Sequence, residues 1–171
     1  MDFRKYIAST TYPSDLVLED WRWLIGTALQ LWHATKFGDA LLLNPEDGSI
    51  YFLDVMAGKV ERIAENEAEF ESALATNDNA NKWLMTDVMD GQALLGMLPG
   101  HNECLSFKHP PALGGQLDPD NFETCDIAVH LSIAGQIHRQ CKDLPPGTKI
   151  SNTNFESTER KISKRPWWRF W

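Results

Sequence analysis

Between Ala28 and Ala64 the sequence sets out four short apolar segments, residues 29–36, 40–44, 49–54 and 59–64, each separated from the next by turn chemistry. Lys36-Phe37-Gly38-Asp39, Pro45-Glu46-Asp47-Gly48 and Met56-Ala57-Gly58 supply those turns, because glycine accepts positive φ and proline presets its own. The pattern predicts a four-strand antiparallel meander. Strands and helices then follow in blocks rather than in alternation, which indicates an α+β fold, an antiparallel sheet packed with helices, and not a doubly wound parallel sheet.

Helices are expected on both sides of the meander. Tyr12-Pro13 stops the chain before Ser14 or Asp15 caps a helix over residues 16–25. Asn66 with Glu69 three residues on forms a capping-box pattern, and Ile63, Phe70 and Leu74 recur on one helical face. A second helix over residues 79–98 carries Trp83, Leu84, Val88, Leu94 and Leu95 as core, with Gly91 as its break. Two strands, 103–107 and 122–126, flank a Pro/Gly loop at 109–115, and a final helix runs to Asp143 before Leu144-Pro145-Pro146-Gly147 ends it.

With 171 residues, 43% apolar and 23% charged, the chain has the composition of one globular domain. It divides into an N-terminal segment (1–19), an α+β body (20–150) and a basic, Trp-rich tail (151–171). The longest aliphatic run, Ala40-Leu41-Leu42-Leu43, is far shorter than the roughly 20 residues that span a bilayer. The start has no apolar signal segment, and the widely spaced Cys104, Cys125 and Cys141 suit a reducing compartment, so a cytoplasmic location is expected.

Charge is distributed unevenly. Residues 1–150 carry 22 acids against 11 bases, while residues 151–171 carry two acids against five bases. Such a body repels a phosphate backbone, which argues against direct nucleic-acid binding and favours attraction to a basic partner. The densest acidic stretch lies between Glu61 and Asp78, where six acids face the single Arg62. Glu65, Glu67, Glu69, Glu71 and Asp78 are the candidate partner-binding residues, followed by Asp118 and Asp120 around Pro119.

Catalytic and cofactor signatures are missing from the sequence: there is no phosphate-cradling glycine motif, nucleophile elbow, H-E-x-x-H or C-x-x-C. No enzyme, cofactor or metal is expected. His130, His138 and Cys141, with Cys125 upstream, are zinc-ligand types, yet Ile127, Leu131, Ala134, His138 and Cys141 form one helical stripe and belong with core positions. Cys104 with His101 or His109 lacks an activating context. The loop 107–115 reads as a shaped surface, since its prolines and glycines fix a backbone path. In the tail, Trp167, Trp168, Arg169, Phe170 and Trp171 could fold back on the acidic body or anchor in a partner's groove; a membrane surface or nucleic acid is a further alternative.

Several segments together resemble a known family. Trp21-Arg22-Trp23-Leu24-Ile25-Gly26, Phe37-Gly38-Asp39, Gly48-Ser49-Ile50-Tyr51-Phe52-Leu53-Asp54, Leu113-Gly114-Gly115, the run from Val129 to His138 and Asp143-Leu144-Pro145-Pro146-Gly147-Thr148-Lys149-Ile150 are similar, in order, to the C-terminal domain of type VI secretion DNase immunity proteins. The resemblance covers residues 20–150. It implies an α+β domain, often attached after a GAD-like region in longer relatives, that neutralises a toxin by binding it. The toxin expected is a nuclease effector with a basic cleft. The alternative function is a non-enzymatic adaptor that docks through its aromatic, basic tail.

Overall fold

The computed structural model describes residues 2–145 and Thr148; the tail residues Trp167 to Trp171 lie outside the described residues. At its centre stands the expected meander, β1 (Gln30–Ala34), β2 (Ala40–Leu43), β3 (Ile50–Asp54) and β4 (Lys59–Ala64), paired antiparallel in chain order. Leu41 pairs with Phe52 and Leu42 with Tyr51. Successive side chains along a strand point to opposite faces. Leu41, Ile50 and Phe52 therefore join one core cluster, whereas Ala40, Leu42 and Leu53 join another. The run Ala40-Leu41-Leu42-Leu43 is continuously apolar because the sheet is covered on both sides.

One covering layer contains α3 (Glu67–Ala73), α4 (Asn77–Leu84) and α5 (Thr86–Leu94). Asn66 caps α3 as its sequence demands, with Oδ1 accepting the Glu69 N–H at 3.0 Å. The Glu69 carboxylate in turn accepts the Glu65 N–H at 2.6 Å. Phe70 and Leu74 are buried, and Phe70 stacks on Trp83 at 5.8 Å between ring centroids.

The single helix expected over 79–98 is two helices, and the break falls at Met85 rather than at Gly91, which lies inside α5. Met85 adopts a left-handed conformation (φ 47°, ψ 45°) while its N–H still bonds to the Asn81 carbonyl. The Asn81 side chain accepts the Asp87 N–H at 3.2 Å and so joins the two helices across the corner. The turn also changes which face is buried. Trp83, Leu84, Met89 and Gln92 point inward, but Leu94 and Leu95 are 90% and 69% exposed and are not core.

The opposite layer contains α1 (Ser14–Val17), α2 (Arg22–Ile25) and α6 (Ile127–Cys141). The first expected helix is interrupted at Leu18 (φ −100°, ψ 0°), and a 3₁₀ turn, Glu19–Trp21, separates its two pieces. This bend buries both Leu18 and Trp21 completely and lets Trp21 Nε1 donate to the Leu131 carbonyl at 2.8 Å. Ser14 lies inside α1 instead of capping it, and its hydroxyl accepts the Leu31 N–H from β1. Asp15 forms an ion pair with Arg22 at 3.1 Å.

The two expected strands are present as β5 (Glu103–Phe107) and β6 (Phe122–Asp126), and they pair with each other as an antiparallel hairpin, Cys104 opposite Cys125. The Leu105 N–H donates to the Lys36 carbonyl at 2.7 Å, fixing the hairpin to the β1–β2 turn. Phe37 packs edge-on against both Phe107 and Phe122. Asp126, the last residue of β6, caps α6 by accepting the Ala128 and Val129 N–H groups. Gly135 brings α6 close to the Glu19–Trp21 turn, since a Cβ there would fall 2.7 Å from the Asp20 carbonyl oxygen.

Candidate functional site

Two features emerge from this frame: an acidic surface and an apolar cleft. On α3 the buried side is taken by Phe70, which leaves Glu67, Glu69 and Glu71 exposed, with Glu65 just ahead of the cap and Asp78 in the first turn of α4 also exposed. Their electrostatic surroundings differ. Glu65 is paired with Arg62, and Glu69 is held by the Glu65 backbone. Glu67, Glu71 and Asp78 take part in no ion pair among the described residues. Asp118 and Asp120 are exposed in the β5–β6 connection, where Asp118 Oδ1 accepts the Asp120 N–H at 2.9 Å and caps a short 3₁₀ turn. No hydrogen bond or ion pair links these two acids to the α3 group among the described residues.

The cleft, of about 330 Å³, opens between α6, the loop following β5, and the turns that end β1 and β3. Asp39, at the head of β2, is only 4% exposed. Its Oδ1 accepts the Val55 N–H at 2.8 Å, and burial pushes its carboxyl up to about 7 despite that bond. Sequence reasoning missed this residue; the signal was an acid placed directly before the all-apolar β2.

His130 and His138 reach the same region from α6. His130 Nδ1 lies 2.8 Å from the Ser106 hydroxyl, and its ring rests on Gly38 (φ +99°), where a Cβ would come within 2.5 Å of Nε2. Burial lowers His130 to about 4, outweighing the Gly38 carbonyl, which favours the charged form. His138 Nε2 lies 3.0 Å from the Val55 carbonyl, and its ring packs on Trp21 and against Gly58. Burial lowers its pKa too, partly offset by the Val55 carbonyl. Both histidines therefore act as neutral hydrogen-bonding struts between α6 and the meander's turns. The helical stripe put His138 and Cys141 at core positions, and both are half-buried; His130 was not on that stripe.

The other candidate side chains are held apart. Cys104 is fully buried and its thiol is pushed well up by desolvation, the opposite of an activated nucleophile. His101 bonds to Ser9 and His109 to the Leu113 carbonyl. Among the described residues no three His, Cys, Asp or Glu side chains come together as a metal site. No helix among them is long and apolar enough to cross a membrane. The loop 107–115, read from its prolines and glycines as a shaped surface, forms one wall of the cleft through Pro110, Pro111 and Leu113.

No curated protein matches this chain. Among solved structures, one titled "Crystal structure of Atu4351 from Agrobacterium tumefaciens" is similar at 18% identity with a TM-score of 0.49, covering 72% of this chain. The chain spans 64% of that solved chain's length. Residues 64–138, from the end of β4 through α3, α4, α5, the β5–β6 hairpin and most of α6, match the family described as T6SS immunity protein Tdi1, C-terminal, in agreement with the resemblance read from the sequence.

Proposed function

We propose that this protein is a cytoplasmic immunity protein that binds and neutralises a type VI secretion toxin, a nuclease with a basic cleft, through its acidic surface. The observation that carries the reading is that Glu67, Glu71 and Asp78, inside the family-matched stretch, are exposed and form no ion pair among the described residues. Carboxylates left unpaired are free to face a partner's cations. A nuclease must hold a polyanion and so presents basic groups, and complementary fields raise the association rate and select the partner. Asp118 and Asp120 offer a second acidic edge at the β5–β6 connection.

The test is binding of the nuclease-like product of a neighbouring gene to the parent and to the Glu67→Lys, Glu71→Lys double variant, across a range of salt concentrations. The parent should bind with an affinity that falls steeply with salt, since exposed charges are screened beyond about 8–10 Å at physiological ionic strength. The double variant should lose at least about tenfold at low salt, most of it in the association rate. Equal binding by both proteins places the interface elsewhere.

A further inference from the structure

The cleft beside α6 holds a buried carboxyl group, Asp39, with one oxygen unpartnered among the described residues. Its walls are hydrocarbon, contributed chiefly by Phe37, Val55, Pro110, Ile133 and Ile137. The two histidines that reach it are already bonded, to Ser106 and to the Val55 carbonyl. Lys108, at the mouth, donates its ammonium to the Asp120 carbonyl at 2.8 Å. Lys108 is the only Lys or Arg that lines the cleft among the described residues. Asp39 is different: Oδ1 takes the Val55 N–H, but no hydrogen bond reaches Oδ2 among the described residues, and the carboxyl is almost wholly withdrawn from solvent. Glu123 adds a second carboxylate to the lining.

We propose that this cleft binds a primary alkylammonium group, its hydrocarbon stem lying against Phe37, Ile133 and Ile137 and its ammonium donating to Asp39 Oδ2. Ligand pockets are mostly apolar with a few placed polar groups, and about 330 Å³ lies at the small end of their range, enough for a chain of several carbons. An ammonium satisfies a buried carboxylate by a charge-assisted hydrogen bond, which a neutral hydroxyl does less well. Because the cleft is open, its remaining donors can keep water. A free aliphatic amine and the side chain of a lysine on another protein both carry this chemistry. None of the acidic residues on α3 lines the cleft.

Calorimetric titration of the full chain with hexylamine and with hexanol, at mildly alkaline pH where Asp39 is ionised, tests the assignment. Hexylamine should bind about tenfold more tightly than hexanol, the contribution of one hydrogen bond to a charged group. Equal affinities, or no binding of either, overturn the proposal. Asp39→Asn should weaken hexylamine about tenfold while leaving hexanol unchanged, and undiminished amine binding by this variant also overturns it. Ala112→Trp, on the loop that walls the cleft, should weaken both ligands and keeps the test available if Asp39→Asn fails to fold; unchanged binding of both ligands by this variant places them outside the cleft. Titration with N-acetyl-lysine methylamide separates the sources, a tighter fit than hexylamine pointing to a protein lysine and a weaker one to a free amine.

Discussion

Asp39 and His130 line one cleft and have pKa values displaced in opposite senses, so each should conceal the other's effect on stability. The Asp39 carboxyl is raised from 3.8 to about 7, so between these values the folded protein holds a proton that the unfolded chain has released, and stability falls as pH rises. At about 1.4 kcal/mol per unit, the loss across the window is about 4 kcal/mol. His130 is lowered from 6.5 to about 4, so there the unfolded chain holds the extra proton and stability rises with pH, by about 3 kcal/mol over its window. The two slopes nearly cancel in the parent between pH values of about 4 and 6.5. Urea unfolding followed by tryptophan fluorescence, with ionic strength held constant, should separate them. Relative to the parent, Asp39→Asn should gain stability steadily as pH rises from 4 to 7, and His130→Gln should lose it as pH rises from 4 to 6.5. Surface carboxylates are common to all three proteins and drop out of the differences. Curves that remain parallel to the parent's across this range would refute the reasoning, because they would mean that neither group is desolvated as the cleft geometry requires.

Three further outcomes follow from the packing. Asn66→Ala removes the α3 cap and should cost about 1 kcal/mol in thermal unfolding; an unchanged midpoint would show that the Glu69 N–H does not depend on it. Gly135→Ala places a methyl group against the Asp20 carbonyl and should destabilise by about 1–3 kcal/mol in chemical denaturation, whereas a neutral effect would mean that α6 stands farther from the Glu19–Trp21 turn. Leu94→Asp combined with Leu95→Asp should change stability by no more than about 0.5 kcal/mol per site, and a loss of the size expected for core leucines would place these side chains inside.

The sheet was readable because its information is local: each turn carries its own glycine or proline, and each strand its own apolar run. The α3 cap was readable for the same reason, Asn66 and Glu69 standing three residues apart. Where the outcome depended on distant partners, the sequence was silent. Nothing near Met85 announces a left-handed residue, since that conformation ordinarily signals glycine or asparagine; the corner is held by Asn81 and by packing of Met85 against the core. Leu94 and Leu95 keep helical spacing with Trp83 and Leu84 only if the helix is continuous, so the same bend explains their exposure. The cleft could not be read at all, because its walls come from residues near 37–39, 55–56, 106–113 and 130–138, which only the tertiary fold brings together. Of the acidic candidates, their exposure was legible, but the division between paired Glu65 and unpaired Glu67, Glu71 and Asp78 needed the position of Arg62.

The bond from Trp21 to the Leu131 carbonyl, with Ser132 and Gln136 hydrogen-bonded to Asp20, joins the Glu19–Trp21 turn to α6 across more than a hundred residues. A growing polypeptide can complete the meander and α3 while still on the ribosome, but Leu18 and Trp21 have no α6 to cover them until more than a hundred further residues have been made. The nascent chain must therefore carry an open apolar face until α6 emerges, and over that interval the face is exposed to chaperones and neighbouring chains. The boundaries of the family match also do not mark a piece that can be cut out: residues 64–138 would leave with α6 but without the indole that it encloses.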